Sequence, residues 1–270
     1  SLLDLKNKQI LTSKGKVIAI NPLPLNSENI EEALSEYKMV ETKATFLQVE
    51  NVWDLFKLND EAIRADIELI KSEKTFVEAS STNQILGEDI YIEEGAKVEC
   101  AILNTTSGPI YIAKGAEVME GSILRGPIAV CENGVVKMGA KIYGATTIGP
   151  YSKVGGEVNN CMIQGYSNKG HDGFLGNAVL GEWCNLGADT NNSNLKNNYQ
   201  SVDIYNYNEE KYVDTELQFC GLIMGDHSKS AINTMFNTGT VIGVSANIYG
   251  ADFPSKFIPS YSWGGRKPLE

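Results

Sequence analysis

The sequence Lys-Gly-His-Asp-Gly-Phe-Leu-Gly occupies residues 169–176 and is followed by the pairs Leu180-Gly181 and Leu186-Gly187. Phe174, Leu180 and Leu186 are thus spaced six residues apart, and glycine follows the last two directly. A six-residue period of this kind is typical of a parallel β-helix, in which each short strand forms one side of a prism. Glycine supplies the tight corners, and each inward aliphatic side chain packs on the coil below it.

The same period extends over much of the chain, and we expect residues 84–250 to form the β-helix of a mainly β protein. A Gly-rich β-sandwich is the alternative, but sandwiches show period two within strands and irregular turn spacing. The segment 191–216 is rich in Asn and Tyr and lacks the repeat, which predicts an inserted loop. Residues 251–270 predict an extended tail on the outside of the prism. The repeat is carried by Ile92 and Val98, by Ile112 and Val118, and by Ile142, Ile148 and Val154.

Residues 1–80 lack the six-residue period and read as a small α/β domain that ends in a linker helix. An apolar residue recurs at three-, four- and seven-residue offsets in the second predicted helix, where Asn51 is a suitable N-cap. The polar run 78–83 is the predicted linker to the β-helix. The predicted elements are strands at 16–20 and 45–49 and helices at 28–38 and 52–71.

Composition limits the functions open to this chain of 270 residues, whose net charge is −11. Nucleic acids and anionic membranes require clustered Lys and Arg, so the charge argues against both. The five cysteines are widely spaced and form no C-x-x-C pair, which argues against a disulfide framework and favours a reducing, cytoplasmic location. No apolar run approaches the ~18 residues of a membrane span. Because the chain starts at Ser1, we expect it to be a fragment of a longer protein.

Several motifs carry a resemblance to a known family: Gly170-His171, Leu175-Gly176, Leu180-Gly181, the run 185–188 (Asn-Leu-Gly-Ala) and Asn194. They resemble the acetyltransferase half of bifunctional N-acetylglucosamine-1-phosphate uridyltransferases. The whole chain is similar to sugar-nucleotidyltransferase-like proteins that join an α/β nucleotidyltransferase domain to a left-handed hexapeptide β-helix. The resemblance implies a left-handed coil, a homotrimer, and acetyl-CoA lying between adjacent prisms. It also implies that residues 1–80 are the last portion of the nucleotidyltransferase domain, since the family's Gly-rich nucleotide loop is absent from the sequence.

The resemblance also assigns roles to single residues. In the family, the histidine that matches His171 is the general base for acetyl transfer to a sugar amine. An imidazole suits this task because its unperturbed pKa of ~6.5 is close to the working pH. The asparagine matching Asn194 orients the reacting groups, the one matching Asn185 contacts the amino sugar, and the backbone at Ala188 contacts the acyl carrier. The resulting prediction is catalytic His171 and Asn194, substrate-binding Asn185, Phe174 and Lys169, and cofactor-binding Ala188.

Two departures from the family bear on the substrate and keep other functions open. Phe174 stands where the family has a tyrosine, and Asn159-Asn160 stand near its phosphate-binding lysine. An amide cannot supply the charge-assisted bond that holds a phosphate. The first hypothesis is therefore an acetyl-CoA-dependent transferase acting on an amino sugar phosphate or nucleotide sugar. The alternatives are a noncatalytic β-helix that trimerises and regulates an upstream nucleotidyltransferase, and a purely structural or ligand-sensing prism.

The second histidine, His227, is expected to be a surface residue of a late coil. Hexapeptide β-helices also form carbonic anhydrases, which raises the possibility of zinc. Those enzymes use three histidines, and catalytic zinc generally takes three protein ligands. The chain has two histidines, so we predict no metal site.

Overall fold

The protein is described by a computed structural model over residues 5–23, 29–44 and 46–265. The chain forms two compact units, residues 1–48 and 49–270. Thr45, the first residue of the strand predicted at 45–49, lies outside the described residues, and the rest of that segment is neither helix nor strand. The last five residues of the predicted tail, 266–270, also lie outside them.

The first unit contains a three-stranded sheet and one short helix. The middle strand of the sheet, β1, is antiparallel to β2 and parallel to β3. Asn29 caps the helix, because its side-chain oxygen accepts a hydrogen bond from the backbone N–H of Glu32 at 3.2 Å. The helix is much shorter than the one predicted at 28–38, since the chain turns into a strand at Lys38. The elements are β1 (Gln9–Ser13), β2 (Lys16–Asn21), α1 (Ile30–Leu34) and β3 (Lys38–Glu41).

The second unit opens with two helices and continues almost entirely as short strands. The helices are α2 (Asp54–Lys57) and α3 (Asn59–Glu73). The strands, in chain order, are β4 (Phe76–Val77), β5 (Gln84–Leu86), β6 (Ile90–Glu93), β7 (Lys97–Val98), β8 (Ile102–Asn104), β9 (Ile110–Ile112), β10 (Glu117–Val118), β11 (Ile123–Arg125), β12 (Ile128–Val130), β13 (Val135–Val136), β14 (Lys141–Tyr143), β15 (Thr146–Ile148), β16 (Lys153–Val154), β17 (Glu157–Asn159), β18 (Met162–Ile163), β19 (Asn168–Lys169), β20 (Phe174–Gly176), β21 (Val179–Leu180), β22 (Asn185–Leu186), β23 (Asn191–Asn192), β24 (Asp203–Asn206), β25 (Lys211–Asp214), β26 (Ile223–Met224), β27 (Lys229–Ser230), β28 (Met235–Phe236), β29 (Val241–Ile242), β30 (Asn247–Ile248) and β31 (Phe257–Ile258).

These strands form the three faces of a prism. Sheet I has the order β30-β27-β22-β19-β16-β13-β10-β7, and sheet II has the order β20-β17-β14-β11-β8-β5. Sheet III has the order β31-β29-β26-β21-β18-β15-β12-β9-β6-β4, and its strands pair in parallel except for β4 with β6. The result is a parallel β-solenoid of about 10 turns, consistent with a left-handed hexapeptide β-helix. The predicted fold class is confirmed.

The core of the prism is a set of aliphatic columns, one for each sheet. In sheet I, Val118, Val136 and Val154 occupy equivalent places in neighbouring strands, and each is no more than 1% exposed. Stacking buries the inward face that a single coil would leave in water. Near residue 174 the column shifts from the predicted phase, because Leu175 is buried at 1% exposure. Phe174 therefore lies on the outer side of sheet II.

One corner of the prism carries aromatic residues where glycine would be expected. Tyr151, Tyr166, Trp183 and His227 have φ values of 58°, 59°, 59° and 59°, in the left-handed region. Their rings stack in that order, with centroids 5.2, 4.6 and 6.1 Å apart and planes within 5°. Ring contact offsets part of the cost of the backbone conformation. His227 is exposed, as expected for a residue of a late coil.

The two helices belong to the β-helix unit. The helical segment begins at Asp54, whose carboxylate accepts from the backbone N–H groups of Glu50 and Asn51, and Asn51 is not the N-cap. In α3, the buried residues Ile63 and Ile67 pack with Tyr111 of sheet III. The side chain of Asn59, 1% exposed, makes two further hydrogen bonds to that face.

The predicted inserted loop contains an ordered hairpin. The chain leaves the coil after β23, which still pairs in parallel with β28, and returns at β26. Between them, β24 and β25 pair antiparallel. Val202 and Ile204 are buried with Val179 and Ile223 of sheet III, so apolar contacts hold the hairpin on the prism. The tail also differs from the prediction, because β31 pairs with β29 and adds a strand to sheet III.

Candidate functional site

His171 lies at the corner between sheets I and II, in the turn that joins β19 to β20. Its side chain is exposed. Within the part of the chain that the structure describes, nothing hydrogen-bonds to the imidazole. The ring is therefore open to a ligand, and the corner that carries it is the candidate site.

The backbone below this corner consists of two glycines. An alanine Cβ at Gly156, whose φ is +70°, would lie 2.9 Å from the carbonyl oxygen of His171 and 2.8 Å from the Cα of Asp172. A Cβ at Gly155 would lie 2.7 Å from the carbonyl oxygen of Gly170. The His171 turn can sit this low only because these two positions have no side chain.

The coil above holds the same turn from the other side. The backbone N–H of Asp189 donates to the carbonyl of Asp172 at 3.0 Å. The side-chain oxygen of Asn191 accepts from the backbone N–H of Phe174 at 2.8 Å. The His171 turn is thus held between neighbouring coils by backbone groups and leaves its imidazole outside.

Lys169 occupies an unusual place in this corner. It pairs in register with Val154 on the inward side of sheet I and is 2% exposed. Its amino group donates to the carbonyl of His171 at 2.6 Å and to that of Gly155 at 3.0 Å. Burial lowers the pKa of this amine to about 8. The sequence predicted a substrate contact for Lys169, whereas in the structure its amine points into the prism and bonds to two backbone carbonyls.

Phe174 and Asn194 approach each other on the outer side of sheet II. A Cβ at Gly176 would lie 2.5 Å from the ring of Phe174 and 2.8 Å from the side-chain nitrogen of Asn194. That nitrogen also donates to the side-chain oxygen of Asn177 at 2.8 Å. His171, Phe174 and Asn194 therefore follow one another from the corner along one face.

The coil below Phe174 adds two polar side chains that sequence reasoning did not single out. Glu157 pairs in register with Phe174, and the hydroxyl of Tyr143 donates to its carboxylate at 2.6 Å. This hydrogen bond raises the pKa of Tyr143 to about 12. Asn159, near which the family's phosphate-binding lysine falls, pairs in register with Gly176. The sequence could have pointed to Glu157 through the length of a coil, because Glu157 precedes Phe174 by one coil and therefore lies directly below it.

The two remaining predicted residues are Asn185 and Ala188. Asn185 lies on the far side of the His171 corner, and Ala188 lies above it. Asn185 is in sheet I, where its side-chain oxygen accepts from the amide of Asn168 at 2.8 Å. Ala188 follows β22 at the same corner, one coil above His171, and its carbonyl accepts from the N–H of Asn233 at 2.8 Å. In one protomer, Asn185 and Asn194 thus lie on different faces that meet near His171.

The described residues contain no group of three His, Cys, Asp or Glu side chains that could hold a metal ion. Within the same residues, no helix has the length and apolar character needed to cross a membrane.

Comparison with known proteins gives matches in both parts of the chain. Residues 1–75 match the family model for sugar nucleotidyl transferase. The bifunctional protein GlmU of Alkaliphilus metalliredigens is 27% identical over 193 residues, which cover 59% of this chain and 40% of that protein. GlmU of Methanococcus aeolicus is 33% identical over 87 residues, covering 32% and 20%. The chain is related in sequence to the GlmU proteins. The predicted resemblance is confirmed, and the chain spans less than half the length of these relatives.

Among solved structures, the chain is similar to the polySia-specific acetyltransferase NeuO. The identity is 13% and the TM-score 0.37, over 71% of this chain and 86% of that one. It is also similar to a perosamine N-acetyltransferase from Caulobacter crescentus at 11% identity and a TM-score of 0.20, over 87% and 83%.

Proposed function

We propose that this chain is part of a sugar-nucleotide pathway transferase, and that its β-helix transfers an acetyl group from acetyl-CoA to an amino sugar phosphate or nucleotide sugar. His171 is the general base. The observation that carries the proposal is the exposed imidazole on a backbone turn held between two coils, with Phe174 and Asn194 on the adjoining face. The sequence relationship to bifunctional GlmU proteins supports it.

In the proposed reaction, the amine nitrogen of the acceptor attacks the thioester carbonyl carbon, so a C–N bond forms and the C–S bond breaks. His171 accepts the proton that the amine loses and passes it to the departing thiolate of CoA. General acid–base help of this kind is worth ~10²–10⁴ in rate. Asn194, which uses one amide hydrogen on Asn177, has a second amide hydrogen for orienting the reacting groups.

The sugar would lie on the outer face of sheet II. The ring of Phe174 offers an apolar surface for one side of a pyranose, while Glu157, held by Tyr143, offers a carboxylate one coil below. A carboxylate attracts the protonated amine of an amino sugar and repels a phosphate. We therefore place the acceptor's phosphate or nucleotide away from Glu157 and Asn159.

Acetyl-CoA would bind at the corner near Ala188, between adjacent prisms of a homotrimer. The described residues give the backbone N–H of Ala188 no acceptor, although its carbonyl is bonded to Asn233. A free N–H at a corner one coil above His171 suits a carbonyl of the pantetheine arm. Asn185 of a neighbouring prism would then complete the sugar site.

A second candidate is a noncatalytic β-helix that trimerises and regulates a nucleotidyltransferase. The match of residues 1–75 to the sugar nucleotidyl transferase family favours it. The lack of a tyrosine hydroxyl at Phe174 and of a cation at Asn159 also favours it.

The deciding experiment measures thiol release from acetyl-CoA with a panel of amino sugar phosphates and nucleotide-linked amino sugars. Reactions without acceptor correct for the protein's own five cysteines. His171→Gln should lose ~10²–10⁴ in rate. His227→Gln is the matched control, because His227 lies on the aromatic corner and stacks on Trp183. The catalytic proposal fails if no acceptor releases CoA or if His171→Gln is as active as wild type. Pyrophosphate release from UTP or dTTP with a sugar 1-phosphate, measured on the full-length protein, tests the second candidate.

A further inference from the structure

Lys169 is a charged residue type in a column built for aliphatic side chains. Coils below and above it place residues of moderate size and no charge at the equivalent inward position of sheet I. A valine at position 169 would continue this column without burying an amine, which is costly unless every polar contact is made. The fold alone therefore gives no reason for a lysine here. The other members of the column are Val98, Val118, Val136, Val154, Leu186, Ser230 and Ile248.

The amine makes contacts that point to the site. One bond reaches back one coil to the carbonyl of Gly155 at 3.0 Å, and the other reaches forward two residues to the carbonyl of His171 at 2.6 Å. Gly156 lets that same carbonyl approach the lower coil, since a Cβ there would be 2.9 Å from it. Because the carbonyl of His171 is turned toward the interior amine, the side chain of His171 is left on the outside of the corner.

We propose that Lys169 is a positioning residue, whose enclosed amino group fixes the backbone of His171 and so aims the imidazole at the acceptor. The expected effect on rate rests on the proposed acetyl transfer. The statement that Lys169 fixes the backbone of His171 does not depend on that reaction. The amine does not touch substrate. It acts through the carbonyl of His171 and ties the catalytic turn to the preceding coil.

The surroundings of the amine fit a fixed role better than a mobile one. Two carboxylates act electrostatically on the amine: Asp172 in the His171 turn and Asp189 in the corner above. Both favour its charged form. Cys161 is buried in the segment between β17 and β18, and its thiolate form would act in the same direction. Neither carboxylate bonds to the amine among the described contacts, so its two directed bonds are those to the backbone.

The test compares Lys169→Met with Leu186→Met, which changes the same column one coil higher without removing a polar group. A misplacement of about 1 Å at a catalytic group costs ~10²-fold, so Lys169→Met should lose roughly 10- to 100-fold in kcat. Its KM for acetyl-CoA should stay within about twofold, because the donor binds elsewhere on the corner. Leu186→Met should keep the wild-type kcat. Lys169→Gln retains a neutral donor and should recover part of the loss.

A second readout works without any activity. Amide hydrogen exchange of residues 170–174 should rise at least about tenfold in Lys169→Met and stay unchanged in Leu186→Met. In a His227→Gln background, His171 is the one remaining histidine of the chain. Its imidazole NMR signal should shift when Lys169→Met is added and stay in place when Leu186→Met is added. If wild type proves inactive, the proposed reaction fails while the exchange measurement still decides the role of Lys169. Unchanged exchange in Lys169→Met, or equal losses in Lys169→Met and Leu186→Met, would overturn the inference. If Lys169→Met does not fold, the comparison is made on Lys169→Gln.

Discussion

Replacing Gly156 with alanine tests how closely the His171 turn rests on the coil below it. The new methyl group would lie 2.8 Å from the Cα of Asp172 and 2.9 Å from the carbonyl oxygens of His171 and Gly173. These are backbone atoms, so no side-chain rotation relieves the contact. Gly139 provides the matched control, because it also has φ +70° and a Cβ there meets nothing within 4 Å.

The two substitutions share one cost and differ in another. Alanine in the left-handed region costs about 1–2 kcal/mol, and the stiffer unfolded chain returns about 0.4–1 kcal/mol. Gly139→Ala should therefore lower the free energy of unfolding by about 1 kcal/mol. Gly156→Ala adds the cost of overpacking, about 1–3 kcal/mol. The difference between the variants is then about 2 kcal/mol and isolates the contact with the His171 turn.

Equilibrium unfolding in urea measures this difference, with the slope m checked for each variant because solenoids can unfold in stages. Thiol release from acetyl-CoA supplies the functional reading, in which Gly156→Ala should be slower than Gly139→Ala. If the two variants lose the same free energy of unfolding to within about 0.5 kcal/mol, the close approach of His171 to Gly156 is refuted. Stability changes at independent sites agree only to about that amount, so a smaller difference would not be meaningful.

Three further predictions concern stability. Ile163→Ala, at a fully buried position of sheet III, should lower the free energy of unfolding by about 3 kcal/mol. This figure combines ~0.8 kcal/mol for each carbon lost with the cost of the cavity. Ile232→Ala is the control, because Ile232 is 67% exposed and its loss should change the urea midpoint little. Asn59→Ala should cost about 1–3 kcal/mol in the same assay, because it leaves a carbonyl and a hydroxyl of sheet III without a partner. The pKa of Lys169 is lowered to about 8 from 10.5, so between these pH values the unfolded chain binds more protons and stability rises with pH. The stability of wild type relative to Lys169→Met should therefore increase from pH 8 to pH 10.5, and a flat or falling difference would contradict a buried amine that has no carboxylate bonded to it.

The sequence predicts the prism well where its coils have regular length. Val118, Val136 and Val154 repeat every 18 residues, three hexapeptides each, so periodicity alone places them on one inward column. The coil from Ile148 to Ile163 has only 15 residues. The side from Leu175 in sheet II to Leu180 in sheet III is also short, with five residues, so a strict six-residue count back from Leu180 assigned Phe174 to the column that Leu175 occupies.

Other features could not be predicted because they depend on that phase or on long-range contacts. A lysine is almost never buried without a partner, so Lys169 reads as a surface residue until the short coil is known. Trp183 at φ 59° departs from the preference for glycine, and its stacking on the rings below and above it is a contact that the local sequence does not show. The hairpin in the inserted loop becomes stable by packing Ile204 on sheet III, a contact that no local pattern shows.

The interior of the prism becomes polar at the coil that carries the candidate site, and this change has a structural logic. Asn192, 3% exposed, donates to the carbonyl of Gly176 at 3.0 Å and accepts from its N–H at 2.8 Å. Lys169 donates to the carbonyl of His171, in the turn before β20. Buried polar side chains therefore bond to the backbone on both sides of Leu175: Lys169 before β20 begins, and Asn192 where β20 ends. Hydrophobic contacts are non-directional, and a column of valines would stabilise the coil without fixing where its outer face points. Hydrogen bonds in a low-dielectric interior fix both distance and direction. A coil whose outer face must hold His171, Phe174 and the bare backbone of Gly176 in one arrangement therefore gains from a polar interior, although apolar residues would make it more stable.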